Sequence, residues 1–257
     1  MDLAIETIGL ARVFGTVRAV DGIDLQVQRG TFYGFLGPNG AGKSTTIKML
    51  TGLLAPTSGT MRILGRDISD PSSALHVKRH VGVVPENLHL FENLTGREFL
   101  IFTGRMYLLP AGTISSRVNE LLATMNLAGE EKKLILEYSH GMRKKLALAA
   151  ALLPNPDLLF LDEPFEGVDA VASRVLRDIL RQCVQRGATV FLTSHVLEIV
   201  EKLCTHVGII SSGKLVHQQP ISDMRPNGSL EETFLRVVGA EDARQQRLSW
   251  LDEEAAP

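Results

Sequence analysis

Gly37-Pro38-Asn39-Gly40-Ala41-Gly42-Lys43-Ser44-Thr45 decides the fold of this chain. The stretch satisfies GxxxxGK[ST] at every fixed position, and its flanks supply the context that pattern requires. Before it, Thr31 to Leu36 reads as a buried strand; after it, Ile47, Leu50 and Leu54 share one face of a helix predicted over Thr45 to Leu54. Glycine at 37, 40 and 42 lets successive backbone N–H groups curl around phosphate oxygens, while the following helix points its positive end at the same anion. The loop therefore reads as a phosphate cradle. Lys43 is expected to reach the β- and γ-phosphates of a nucleotide, and the Ser44 hydroxyl to ligate Mg²⁺.

Outward from the loop, the pattern is that of an α/β frame. Ile23, Leu25 and Val27 alternate with polar residues in a predicted strand that stops at Arg29-Gly30. Downstream, Pro56 to Gly59 reads as a turn, Met61 to Leu64 as a short strand, and Val81 to Val84 as a buried strand closed by Pro85. From Leu94 to about Leu153 the spacing becomes helical, as at Val118, Leu121, Leu122 and Met125, so a helical segment (about 87–153) is inserted in the frame. The frame resumes with the strand Leu158 to Leu161, a helix over Val171 to Gln185 ending at Gly187, a strand from Thr189, a helical turn, and a strand over Val207 to Ile210.

Leu158 to Leu161 runs directly into Asp162 and Glu163, which places two carboxylates at the tip of a buried strand. In phosphate-loop folds that tip faces the cradle. Asp162 suits Mg²⁺, directly or through water, and Glu163 suits the general base for water attacking the γ-phosphorus. An acidic pair is also ordinary punctuation at a strand end; the phosphate loop upstream favours the functional reading.

The rest of the composition excludes several classes. Net charge is −2 from 27 basic and 29 acidic residues, which gives no basic surface for nucleic acid and no polybasic membrane anchor. The longest apolar run, Leu146 to Leu153, stops at Pro154, far short of the ~20 residues a membrane helix needs. Met1-Asp2 opens without a basic segment followed by an apolar one, so cytosolic residence is expected. Cys183 and Cys204 read as reduced core thiols, and His76, His80, His89 and His217 as surface or turn residues, with no convergent ligand set.

Ser139-His140-Gly141-Met142 precedes a predicted helix over Arg143 to Leu153, shortly before Asp162. Here the chain resembles the ATP-binding-cassette (ABC) family, whose LSGGQ signature stands in that place. The other landmarks follow in order: Phe14 matches the aromatic that stacks on adenine, Glu86 after Val83-Val84-Pro85 occupies the Q-loop position, Gly167-Val168-Asp169 matches the D-loop, and Thr193-Ser194-His195 places His195 as the switch histidine. The resemblance spans about Leu3 to Val238. It implies a phosphate-loop NTPase core with an antiparallel β subdomain and a helical subdomain, in one ATPase domain over 1–240; from Glu241 onward the sequence itself reads as a solvated, partly frayed tail.

By residue, the resemblance implies an ATPase that uses ATP and Mg²⁺, with Lys43, Glu163 and His195 catalytic and with Ser44, Glu86 and Asp162 on the metal. Ser139, His140, Gly141 and Met142 would face the nucleotide of a partner cassette, in a homodimer or a heterodimer. Two departures bear on mechanism. Glu86 replaces the usual glutamine and adds a negative charge beside ATP; His140 and Met142 replace Gly and Gln, while the Ser139 hydroxyl and Gly141 backbone are kept. Signatures of this type resemble the drug, ion and polysaccharide exporter branch, whose ATPase is a separate chain and commonly ends in a segment like Ser229 to Leu235.

The expected function is thus ATP-driven dimer closure coupled to a membrane-spanning permease at the inner face of the membrane, with apolar residues of the insert (Leu90-Phe91, Leu94, Phe99 to Phe102, Met106-Tyr107) offering the docking surface. A soluble cassette ATPase acting on ribosomes, DNA ends or cofactor assembly is the rival. Translation-type relatives carry two cassettes and DNA-end relatives long coiled coils, and this chain has neither. Two local readings stay open: Phe14 also fits edge-strand packing, and Arg143-Lys144-Lys145 fits solvated helix surface as well as phosphate-facing charge.

Overall fold

The computed structural model describes residues 2–224 and 229–239; the tail expected from Glu241 onward lies outside them. At the start, β1 (Leu3–Phe14) pairs antiparallel with β2 (Val17–Ile23) and with β3 (Gln26–Gln28). Ile23, Leu25 and Val27 are all buried, as their alternation predicts. The one strand expected through them is nevertheless two. Between them the Thr7 hydroxyl donates to Ile23 O (2.7 Å) and accepts from Leu25 N–H (2.9 Å), so a side chain replaces ladder hydrogen bonds where periodicity alone shows continuity.

Strand β4 (Phe32–Leu36) feeds the phosphate loop and α1 (Lys43–Leu50) leaves it. The helix ends before the predicted Leu54, because Thr51 caps it and Gly52 takes φ +71. Next, β5 (Ser58–Ile63) begins inside the predicted turn and pairs with β1 and with β6 (Arg66–Asp67). Gly59 lies so close to Gly9 O that no Cβ fits, which makes it a residue of close strand approach rather than of a turn. Helix α2 (Pro71–His80) was not legible: Val77 alone is fully buried, and its start rests on the Asp70 cap before Pro71. It leads into β7 (Val81–Val84).

The insert is three helices, α3 (Gly96–Met106), α4 (Ala111–Thr124) and α5 (His140–Leu152), joined through Phe99, Leu100, Ile114, Val118, Leu122 and Leu146. Two expectations need correction. Helix α5 starts at His140, not Arg143, because Ser139 caps it. Phe99 and Leu100 belong to the core rather than to spare surface, and Tyr107 is half-buried with its hydroxyl donating to Val81 O (3.0 Å). Phe91, Phe102 and Met106 do stay exposed.

The remainder runs β8 (Leu158–Asp162), α6 (Ala170–Gln185), β9 (Thr189–Thr193), α7 (Leu197–Leu203), β10 (His206–Ser211), β11 (Lys214–Pro220) and α8 (Leu230–Val238). The central sheet has the order β11-β10-β4-β9-β8-β7, all parallel except β11. Its five parallel strands are mostly buried on both faces because both are covered, whereas the edge strand β11 is half-exposed. The pleat sends Phe32, Leu36, Leu159 and Leu161 to the face covered by the helical insert together with α6 and α7, and Tyr33, Phe35, Phe160 and Phe191 to the face covered by the antiparallel layer with α1 and α2. Cys183 and Cys204 are free, buried thiols, as expected. Parallel strands put all their carboxyl ends on one edge, and that edge carries the chemistry.

Candidate functional site at the carboxyl edge of the sheet

The phosphate loop needs its glycines for different reasons. At Gly37 a Cβ would collide with Ile210 O of the neighbouring strand, and at Gly42, with φ +108, with Ala19 O of β2. Gly40, at φ +78, faces open space and is required by conformation alone. Pro38, Asn39 and Gly40 are exposed at the tip, and Ala41 N–H closes the turn onto Pro38 O (3.1 Å). Helix α1 has no side-chain cap, so the N–H groups of its first turn (Lys43, Ser44, Thr45) are available to an anion. The Lys43 side chain is buried across the loop, with Nζ donating to Gly37 O (2.7 Å) and Pro38 O (3.2 Å).

Strands β7, β8 and β9 deliver the remaining groups to the same edge. Glu86, just past β7, accepts from the Ser44 hydroxyl at 3.3 Å. Asp162 ends β8 and Glu163 follows it, and both are buried. Asp162 Oδ1 accepts from Thr193 Oγ1 at 2.5 Å; Glu163 Oε2 meets His195 Nδ1 at 3.0 Å and its backbone N–H at 3.4 Å. Ser44 is therefore in contact with Glu86, and Glu163 with His195. Among the described residues no three His, Cys, Asp or Glu side chains form a metal cage. Ser44, Glu86 and Asp162 are an all-oxygen set, and too few to enclose an ion. They fit Mg²⁺, which keeps waters and takes other oxygens from a nucleotide's phosphates.

Phe14 closes β1 with its ring exposed, and the Arg12 guanidinium lies over one face, 4.6 Å from the centroid. It is not buried edge packing. The signature residues sit elsewhere, at the start of α5. Ser139 is its cap, accepting from Met142 N–H (3.3 Å), and His140 packs on Gly167, where a built Cβ would come within 2.6 Å of its ring. Asp169 caps α6 through Ala172 N–H (2.9 Å), which holds its carboxyl below the usual range, and Lys145 lies 3.8 Å away.

The basic run after the signature divides by environment. Arg143 is structural, donating to Tyr138 O (3.2 Å), Leu136 O (3.0 Å) and Glu92 (3.0 Å). Lys144 is only 2% exposed, and Nζ has no hydrogen-bond partner among the described residues. Burial lowers its pKa despite the opposing pull of Glu166, Glu163, Asp162 and Glu86. Lys144, being buried, is not solvated helix surface. The sequence names Lys144 within a basic run, Thr193 ahead of His195 and Gly167 in the D-loop, without the contacts these residues make. Their contacts depend on how strand ends and helix ends meet, and composition carries no mark of that.

This geometry defines a phosphate-loop NTPase of cassette type, and the chain belongs to the ABC transporter family. The sequence profile of that family, described as ABC transporter, matches residues 20–166. The chain is 40% identical over 91% of its length to the daunorubicin/doxorubicin resistance ATP-binding protein DrrA of Streptomyces peucetius, covering 70% of that protein. It is 37% identical over 88% of its length to the bacitracin transport ATP-binding protein BcrA of Bacillus licheniformis, covering 72% of it. A solved structure of an ATP-binding subunit of an ABC transporter superposes with TM-score 0.85 at 29% identity, covering 91% of this chain and 99% of that one. The chain is an ATP-binding subunit that hydrolyses ATP for transport. No helix among the described residues is long and apolar enough to cross a membrane.

Proposed function

We propose that this subunit powers export through a separate membrane-spanning permease, binding Mg²⁺ and ATP between its own phosphate loop and the signature of a second cassette. One observation carries the reading: Lys43, the Ser44–Glu86 contact and the Glu163–His195 pair converge on one sheet edge. In this account residues 1–240 are the ATPase unit and 87–153 its helical subdomain.

Gly37 to Thr45 bind the phosphates through backbone N–H groups, and Lys43 exchanges its loop carbonyls for phosphate oxygens. Phe14 offers its free face to adenine. Ser44, Glu86 and Asp162 would hold Mg²⁺, which when bound supplies positive charge to the phosphate oxygens. Glu163 takes the proton of the attacking water as its oxygen bonds to the γ-phosphorus and the bond to the β-phosphate oxygen breaks. His195 fixes the carboxylate in place. Ser139 and Gly141, exposed and half-exposed at the start of α5, donate to the γ-phosphate held by the partner, with His140 and Met142 shaping that face. The γ-phosphate thus gives two surfaces charge-assisted partners, and phosphate release removes them.

A further relative, 37% identical over 84% of this chain and covered to 71%, is named Nod factor export ATP-binding protein I of Cupriavidus metallidurans, and that name supports export as the direction. Apolar surface supports a protein partner. Phe91 and Phe102 meet edge to face with centroids 5.3 Å apart, both exposed. Nearby, a groove of 630 Å³ between α1, α2 and α3 is lined by the exposed Leu53, Leu75, Met106 and Leu108. Fractionation of cells making the chain with and without its permease tests this. Attachment at the inner face of the membrane is expected only with the permease; binding of the chain alone to lipid vesicles would contradict it.

A further inference from the structure

Thr193 is the last residue of β9 and stands in register with Asp162, the last residue of β8. Its side chain is completely buried, yet its hydroxyl faces two groups of the hydrolytic site at once. Oγ1 donates to Asp162 Oδ1 (2.5 Å) and accepts from the backbone N–H of Glu163 (3.1 Å). A hydroxyl has one proton. A carboxylate can only accept and an amide N–H can only donate, so both directions are fixed.

Glu163 has φ +49, a left-handed conformation that a residue with a Cβ avoids unless its surroundings impose it. Were β8 to continue, the pleat would send Asp162 and Glu163 to opposite faces of the sheet. The left-handed turn breaks that alternation and brings the Glu163 carboxylate to His195. The hydrogen bond from Glu163 N–H to Thr193 ties down the peptide that makes this turn. The same hydroxyl holds Asp162, and two residues along the chain His195 holds the Glu163 side chain. The end of β9 thus grips Glu163 at both ends, by Thr193 on the backbone and by His195 on the carboxylate.

We propose that Thr193 is a positioning residue for ATP hydrolysis, setting the backbone turn that aims Glu163 at the attacking water and coupling it to the orientation of Asp162. The proposal rests on the reading of Glu163 as general base. A threonine that merely satisfies its own hydroxyl in the core would lower stability when changed, without singling out turnover.

Steady-state ATPase and nucleotide-binding measurements on Thr193→Val, Thr193→Ser and Glu163→Gln separate these cases. Valine keeps the shape and loses the hydroxyl. Its kcat should fall about 10²-fold, the scale of a misplaced reacting group, while the KM for ATP stays within about twofold. Serine keeps the hydroxyl and should restore kcat to within about threefold of wild type. In a Glu163→Gln background Thr193→Val should cost no further rate, since there is no base left to aim. If Thr193→Val does not fold, Thr193→Cys, a weak donor of similar size, takes its place and should also lose kcat. Wild-type kcat in Thr193→Val or Thr193→Cys, beside an inactive Glu163→Gln, would overturn the proposal alone. Wild-type kcat in Glu163→Gln would overturn the base assignment beneath it.

Discussion

His195 Nδ1 lies 3.0 Å from Glu163 Oε2, and the same oxygen also faces the His195 backbone N–H at 3.4 Å. Both come from the turn after β9, so the carboxylate at the end of β8 is held by its neighbouring strand. Removing the imidazole leaves one backbone contact and frees the side chain to rotate. His195→Ala is expected to lower kcat by about 10²-fold while the Kd for ATP changes little. Stopped hydrolysis with equilibrium nucleotide binding measured alongside checks it; equal losses in both would assign His195 to binding instead.

The Ser44 hydroxyl donates to Glu86 at 3.3 Å, which joins the phosphate loop to the strand end carrying the unusual acid. Glutamine at 86 keeps an oxygen ligand and removes one negative charge beside the nucleotide. Glu86→Gln should retain ATPase activity within about tenfold and shift the Mg²⁺ concentration for half-maximal rate upward, since an anionic oxygen is the stronger ligand for a hard dication. A Mg²⁺ titration of initial rates reads this directly. Complete loss of activity, as expected for Lys43→Ala, would make Glu86 a catalytic group.

The parts of the site legible in sequence are those written locally. The phosphate loop is a continuous motif between a buried strand and a helix, and Asp162-Glu163 follows an unbroken apolar run, so both were placed without tertiary information. What escaped depends on distant partners. Thr193 meets Asp162 across 31 residues, and only strand register brings them together. The start of α5 escaped because His140-Gly141-Met142-Arg143 has no apolar stripe, while its defining feature, the Ser139 cap, was read for its chemistry alone. The split between β2 and β3 escaped because the Thr7 hydroxyl that bridges it lies on β1.

Exposure divides the aromatic residues of the insert into two groups with opposite expected effects. Phe91 and Phe102 are open to solvent, so Phe91→Glu and Phe102→Glu should leave the melting temperature nearly unchanged and release the subunit from membranes that contain its permease. Phe99 is buried in the core, and Phe99→Glu should destabilise the fold by roughly 3 kcal/mol or more. Thermal unfolding and membrane fractionation of the three variants test the division. Unchanged membrane association in both exposed variants would exclude this patch as the docking surface.

In the proposed function ATP joins two cassettes and Glu163 spends it. Lys43→Ala should abolish ATP binding and hydrolysis together, whereas Glu163→Gln should cut hydrolysis by ~10²–10⁴-fold and leave binding intact. Unhydrolysed ATP then holds the γ-phosphate contacts that close the pair. The most direct measurement is gel filtration of Glu163→Gln with and without ATP and Mg²⁺. The account predicts a dimer with nucleotide and a monomer without it, and no dimer for Lys43→Ala under either condition; a Glu163→Gln protein that binds ATP and remains monomeric would contradict it.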